Sequence, residues 1–395
     1  MARGRGGFIG QDGLNAPDSP TEVSGTAGDT QVAVSFTAPS DVGGSAITGF
    51  RAQSNTGVGV SGSASPLTVT GLTNGTAYTF NVWAINAFGY SAPSDASGSV
   101  SPIQNNRALY GGGYTTSDQN QIGYFNISSG GENAQDFGDL TVARDNLSSA
   151  SSSTRGMWLG GHTNDEVDTI DYVTIASTAN ATDFGDISTG GHTNGSGCSN
   201  STRAIWTLGR NQFANATNTI HYSTIASTGN TTDFGDNSQG VTNVSASFSS
   251  PTRGCMTRGD QDNWVQYVTI SSTGNTTDFG NLLVGAMGGA AGCSSSVRGL
   301  IGGGASTFHD IVYFTIASTG NSTDFGDFTE TEKGGLAAAS NNVTGVFMGG
   351  NTTGGQSNRI DKVTIASTGN VTDFGDLVQA IYYISGCSDS HGGLQ

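Results

Sequence analysis

Apolar residues recur along this chain in short alternating runs, broken every few positions by Gly, Asn, Ser or Thr. Val32, Val34 and Phe36 alternate with polar neighbours; Ile47 and Phe50, then Leu67 and Val69, then Phe80, Val82 and Ala84 continue the pattern. Period-two alternation bounded by turn residues marks strands with one buried face. Residues 16–102 therefore predict a β-sandwich of seven short strands, the last opened by Ser91-Ala92-Pro93-Ser94. Within it, Tyr78 follows Leu72 by six residues across the turn Asn74-Gly75, which places its hydroxyl to tie back to the backbone before the turn.

From residue 107 onward three motifs recur six times. Asp-Phe-Gly-Asp begins at Asp136, Asp183, Asp233, Asp324 and Asp373, with Asp-Phe-Gly-Asn at Asp278. Ahead of each lies an apolar segment such as Ile170–Asn180. Ahead of that lies a strand headed by Arg and ending in glycines: Arg107–Gly113, Arg155–Gly161, Arg203–Gly209, Arg253–Gly259 and Arg298–Gly304, with Thr344–Gly350 lacking the Arg. A repeat of about 45–50 residues holding four strands is the signature of a propeller blade. Residues 107–395 predict a six-bladed β-propeller, and the fold class is all-β throughout.

The strands of one repeat are a (ending near Gly-Cys-Ser), b (Arg to Gly-Gly), c (Tyr-Val-Thr-Ile) and d (the Asp-Phe-Gly-Asp segment). Strand c is expected to be apolar on both faces, and Ser-Thr-Gly-Asn to make a tight c–d hairpin. The tetrad is expected to be a turn, its Asp accepting backbone N–H groups and its Phe packing between blades. The first repeat starts at strand b, and the chain ends with a spare strand a at 384–390. That segment is expected to complete the first blade, with Ile381, Tyr383 and Ile384 buried.

Up-and-down connectivity puts the a–b and c–d turns on one face, and these are nearly uniform. The b–c and d–a connections share the other face and vary in length and content. They carry Phe213, Trp264, Phe308 and His309, and also His162 and His192, each in Gly-Gly-His-Thr-Asn. Loops freed from a repeat's constraint are where binding resides, so these six residues are the candidate site. The two histidines are expected to be solvated, with no metal.

Composition narrows the function classes. The net charge is −17 and Lys333 and Lys362 are the only lysines, so no basic stripe faces a nucleic acid or an anionic membrane. Six tetrads in register exclude a kinase reading of Asp-Phe-Gly, and no paired carboxylates, nucleophile–base triad or phosphate loop stands out. The protein is expected to be no enzyme and to need no cofactor. Cys198, Cys293 and Cys387 share one repeat position with Ala150 and Ala339; with Cys255 they are expected to be free core thiols. Arg258-Gly259-Asp260 sits in the Gly-Gly position of strand b and is a coincidence of the repeat. The sequons at Asn180, Asn230, Asn275, Asn321 and Asn370 are turn asparagines. Residues 1–15, rich in Gly and Arg with no h-region, predict an attachment arm and not a secretory signal.

Residues 16–102 resemble a fibronectin type III domain, with Phe36 where that family usually has a Trp. The Gly-Gly endings of strand b resemble kelch repeats without their paired Tyr and Trp. Tandem Tyr-Val-Thr-Ile-Ala-Ser-Thr-Gly-Asn-x-Thr-Asp-Phe-Gly-Asp units behind such a module resemble structural proteins of marine bacteriophages. The resemblance implies a multicopy or homo-oligomeric virion component (a tail fibre, other tail appendage or head decoration). It would be joined to other virion proteins by the N-terminal arm, with no membrane insertion, and would present its loops to a host-surface glycan or protein. The competing class is a bacterial glycan-binding or glycan-active propeller.

Overall fold

The computed structural model describes residues 15–28, 30–102, 106–241, 246–259, 262–285, 287–304, 309–330 and 333–394. The protein is all-β and divides into two compact units, Met1–Asn105 and Asn106–Gln395. The proposed arm, apart from its last residue, lies outside the described residues.

In the N-terminal unit, Thr21–Gly28, Gln31–Thr37 and Leu67–Thr70 form one antiparallel sheet; Gly59–Gly62, Gly49–Ser54, Phe80–Asn86 and Gly89–Tyr90 form the other. Their alternating residues meet in one core that includes Val32, Val34, Phe50, Val69, Phe80 and Val82, with the Phe36 and Phe50 rings 4.8 Å apart. The Tyr78 hydroxyl accepts a hydrogen bond from Thr73 N at 3.0 Å, which holds the turn as expected. The last segment differs from expectation, because it touches its neighbour at every third residue only. Backbone N–H groups of Ser91, Ser94 and Ser97 donate to the carbonyls of Ala84, Val82 and Phe80, and the three hydroxyls accept from the same residues' N–H groups. Serine side chains thus supply the acceptors that a paired strand's backbone would.

The C-terminal unit contains six four-stranded antiparallel sheets, each ordered a-b-c-d. The second to sixth begin with strands a at Ser148–Ser151, Ser196–Ser199, Ser247–Ser249, Ala291–Ser294 and Ala337–Ser340. Their strands b are Arg155–Leu159, Arg203–Thr207, Arg253–Thr257, Arg298–Gly302 and Thr344–Met348. The first sheet takes its strands b, c and d from Arg107–Gly111, Gln121–Asn126 and Gln135–Asp139, and its strand a from the far end of the chain. Ser385–Ser388 pairs antiparallel with Arg107–Gly111, Cys387 opposite Leu109.

Neighbouring strands a lie close together and are joined by serine side chains. The hydroxyl of Ser199 donates to the carbonyl of Ser151, Ser249 to Ser199, Ser294 to Ser249, Ser340 to Ser294, Ser388 to Ser340 and Ser151 to Ser388. These bonds, 2.6–2.9 Å long, return to the residue where they began.

The repeat motifs make the next set of inter-sheet contacts. Arg107, Arg155, Arg203, Arg253 and Arg298 each donate through Nη1 to the carbonyl of Ile175, Ile225, Ile270, Ile316 or Ile365 in the following sheet. Each guanidinium also lies over the strand-c Tyr of its own sheet, 4.2–4.9 Å from the ring centre. The tetrad is not a turn but a bulged strand d: in the first sheet Asp136 pairs with Gly123 and Gly138 with Ile122, leaving Phe137 unpaired and buried. Its glycine has φ of 144–155°, and at Gly185 a Cβ would come within 2.5 Å of the next sheet's Gly229 backbone. The position therefore admits no side chain. Among the described residues the first Asp of the tetrad accepts a backbone N–H at Asp183 alone, from Gly185.

Two further expectations are corrected. In the second to sixth sheets the c–d connection spans seven residues, as between Thr174 and Thr182, and eight in the first, because its Asn must reach the preceding sheet. Asn180 Oδ1 accepts from Asp139 N, and Asn230, Asn275, Asn321, Asn370 and Asn133 repeat the contact. Strand c is not apolar throughout: at one register it holds buried Asp171, His221, Gln266 and Asp361. The four cysteines are buried free thiols, and burial pushes those of Cys198, Cys293 and Cys387 up to about 12.

Beyond the last strand the chain turns in among the strands a. His391 Nε2 lies 3.2 Å from the Ser151 carbonyl and 3.3 Å from Ser199 Oγ, and the short 3-10 helix Gly392–Leu394 packs against the third, fourth and fifth strands a. Burial lowers the His391 pKa to about 4. The folded state thus refuses a proton that the unfolded chain accepts. The stability this histidine allows is complete above about 6.5 and is lost as pH falls from there toward 4. His391→Gln, neutral at every pH, should flatten that part of the stability–pH profile; an unchanged slope would show that His391 is not its source. Deleting residues 381–395 removes the first sheet's strand a, opens the serine cycle and exposes the contacts of buried Ile381 and Ile384, about 1.5–3 kcal/mol each before entropy. The truncated protein should melt earlier and self-associate, and unchanged melting would contradict this role for the C-terminal strand.

Candidate binding face

The b–c and d–a connections leave the same ends of their sheets, and the described candidate residues lie on them in different surroundings. Phe213 is 72% exposed at the tip of a turn whose Asn211 Oδ1 accepts from Phe213 N at 3.0 Å and Asn215 N at 3.2 Å. Trp264 opens strand c of the fourth sheet, 40% exposed, its N–H donating to Asp262 Oδ1. The His309 ring lies 3.9 Å from Asp327 Oδ1, and the His162 ring 3.8 Å from Asp145 Oδ1; both rings are partly exposed. Phe308 lies outside the described residues. His192 is a correction: it is buried, not solvated. It sits in the two-residue strand His192–Thr193 paired with Arg210–Asn211, its Nδ1 2.8 Å from the Gly190 carbonyl, and burial lowers its pKa. His162 and His192 thus differ in access. No group of three or more His, Cys, Asp or Glu suited to a metal occurs among the described residues.

Other exposed apolar side chains mark the same face. Val142, Leu283 and Val378 stand on d–a connections beside Phe213 and Trp264, whereas the opposite face exposes Val297 and Val343. Two of the d–a loops are anchored from beneath by a buried acid of strand c. Arg144 pairs with Asp171 at 3.0 Å and Lys333 with Asp361 at 2.6 Å, all four groups buried. Thr141 Oγ1 also donates to Asp171 at 2.7 Å, whereas His221 and Gln266 bond threonines of the c–d connections: His221 Nδ1 lies 2.7 Å from Thr231 Oγ1, and Thr276 Oγ1 donates to Gln266 at 2.5 Å. A buried charge needs a buried partner, so the d–a segments entering the second and sixth sheets are each tied to that sheet's strand c.

A chain of backbone bonds links the d–a segments to one another. Gly335 N donates to Gly289 O, Tyr383 N to Gly335 O, Asn146 N to Tyr383 O and Asn194 N to Asn146 O. All five residues adopt left-handed backbone, which Gly and Asn tolerate. Tyr383, at φ 56°, is the bulky exception, a conformation that costs about 1–3 kcal/mol. It is half-buried, contrary to its expected core position, and its ring packs over Gly335 and beside Tyr382, which in turn meets Tyr114. Between the second and third sheets this face opens a cavity of about 260 Å³ lined by Asn146, His162, Glu166, Thr193, Asn194, Arg210 and Ala214. The sequence singled out His162 in this set and the neighbouring Phe213, and missed the rest, because isolated polar residues in irregular loops carry no periodic signal.

Comparison with known proteins identifies one domain of the N-terminal unit. Residues 18–99 match the fibronectin type III domain family. Among solved structures, the crystal structure of domains A168-A170 from titin is similar at 29% identity, over 22% of this chain and 32% of that one, with a TM-score of 0.21. The chain therefore spans about a third of that structure's length. No curated protein matches it. Residues 18–99 are a fibronectin type III domain.

Asp145, beneath the loops, tests the face's electrostatics. Its carboxyl is raised to about 6, chiefly by burial and further by Asp118, against the lowering effects of Asn146 and His162. The folded state holds this proton more tightly than the unfolded chain. The stability linked to it is complete below the ordinary value of 3.8 and is lost as pH rises through about 6. Asp145→Asn should therefore raise the melting temperature at pH 8 and leave it nearly unchanged near pH 4. Equal shifts at both pH values would refute the assignment.

Proposed function

We propose that the six sheets are the blades of a kelch-like β-propeller carried behind the fibronectin type III domain, and that the protein is a non-enzymatic, multicopy virion component of a bacteriophage. Its b–c and d–a face binds the host surface or a partner protein. The cycle of serine bonds supports the propeller reading, since it runs through all six strands a and back. The virion reading rests on the resemblance of the tandem repeats to marine phage structural proteins and on the basic, coreless arm.

The observation that carries the binding role is the division of the repeat. Arg, Asn, Phe and Gly of the motifs are consumed in contacts between sheets, while Phe213, Trp264, Val142, Leu283 and Val378 lie exposed on one face. Exposed apolar groups gathered on one side mark interaction surfaces. A bacterial glycan-binding propeller is the second reading, favoured by the polar cavity on the same face.

Phe213→Ala and Trp264→Ala remove exposed side chains and should change stability by no more than about 0.5 kcal/mol. Each should weaken attachment of the purified protein, or of particles carrying it, to host cells; Val297→Ala and Val343→Ala on the opposite face should not. The reverse pattern would move binding to the a–b side. Mass spectrometry of purified particles tests the virion assignment, and absence of the protein from them would overturn it.

A further inference from the structure

We propose that the cavity between the second and third sheets is a subsite for one residue of a neutral, hydroxyl-rich sugar; the proposal rests on the binding role given to this face. The argument starts from charge pairing. In the six-sheet unit Arg107, Arg155, Arg203, Arg253 and Arg298 donate to carbonyls of the next sheet, while Arg144, Arg258 and Arg359 pair with carboxylates. Among the described residues of this unit the Arg210 guanidinium alone has no partner, and it lines this cavity. Glu166 lines the same cavity with an unpaired carboxylate, and the Asn146 Oδ1 is buried there without a hydrogen bond. Buried polar atoms are nearly always satisfied, so the orphaned Asn146 Oδ1, beside two half-buried unpaired charges, marks a place where a ligand completes the bonding.

The chemistry of the lining selects the ligand. Arg210 offers forked donors, Glu166 and Asn146 Oδ1 offer acceptors, and Thr193 and Asn194 offer both. A pair of neighbouring sugar hydroxyls, each donor and acceptor at once, answers that mixture. Phe213, next to the lining residue Ala214, supplies an exposed aromatic side chain at the rim for the apolar C–H face of a pyranose. Glu166 within the cavity, Asp145 behind His162 and a net charge of −17 all oppose a carboxylated sugar. The volume of about 260 Å³ holds roughly nine waters at about 30 Å³ each and lies just below the ~300–1,000 Å³ of drug-sized pockets, which suits one sugar residue.

The test is saturation-transfer NMR and calorimetry on the full chain. The probes are methyl glycosides of glucose, galactose and mannose, with glucuronic acid and N-acetylneuraminic acid as charged counterparts. At least one neutral glycoside should bind with millimolar affinity, and Arg210→Ala and Glu166→Gln should each weaken it by about tenfold or more. Both side chains are unpartnered, so neither variant should lower the melting temperature. Absence of neutral-glycoside binding, binding indifferent to both variants, or tighter binding of the acidic sugars would overturn the proposal. Loss of cell attachment in Trp264→Ala without any glycoside binding would sink the subsite and leave the face's role standing. Glycoside binding with attachment insensitive to every variant of the face would do the opposite.

Discussion

The C-terminal unit depends on how closely its strands a approach one another. A serine hydroxyl reaches the carbonyl of the neighbouring strand at 2.6–2.9 Å only if nothing larger stands between them. A Cβ at Gly197 would meet the Ser149 carbonyl at 2.3 Å, and one at Gly292 the Ser247 carbonyl at the same distance. Apart from Phe248 in the fourth, these strands therefore hold only Ser, Gly, Ala and Cys, and a buried hydroxyl in such a place must be bonded. The unusual Gly and Ser content is a packing requirement. Because Ser388 belongs to the cycle, the last strand is fastened between the second and sixth strands a, and His391 then fills the space among the strands a.

The regular part of this fold was legible because each repeated residue performs one contact six or nearly six times. The Arg at the head of strand b, the Asn of the c–d connection and the Phe-Gly pair of strand d were visible as motifs. Their work was not: the tetrad looked like a turn because Gly and Asp favour turns, yet the glycine is there so that the next sheet's backbone can approach. Strand c looked apolar because Ile170, Tyr172 and Val173 dominate its pattern. Asp171, His221, Gln266 and Asp361 at one register were the available signal for buried anchors, each different in chemistry and so invisible to a search for sameness. Likewise Arg210, Glu166 and Asn146 come from three separate connections and meet only through the fold.

In the sandwich, alternation located the core residues correctly, whereas the final segment's spacing of three was misassigned as a strand. Ser91, Ser94 and Ser97 carry that spacing in plain sight. An extended chain that bonds at every third residue leaves intervening positions free of the ladder, which lets Pro93, with no N–H to offer, sit between two bonded serines. The same side-chain chemistry thus serves both units. A short hydroxyl substitutes for backbone where backbone alone cannot complete the pairing.

The junction between the sixth and first sheets shows what the repeat must preserve. Here Thr344 replaces the arginine and Lys362 replaces the tyrosine, so the stacked Arg–Tyr latch is lost on both sides. Lys362 Nζ instead donates to the Gly130 carbonyl and lies 5.3 Å over the Phe374 ring, while Asn341 Nδ2 reaches Ser128 Oγ. The Asn133 bond to Asp376 N and the close approach of Gly375 to Glu132 are kept unchanged. A side-chain latch at the rim of a sheet can be rebuilt from other groups, because long side chains tolerate different geometries. The backbone approaches at the tetrad glycine and the serine cycle cannot be rebuilt, since each fixes the distance between neighbouring chains. That difference separates the residues that define the repeat from those that decorate it, and it leaves the b–c and d–a loops, bound by neither, free to differ.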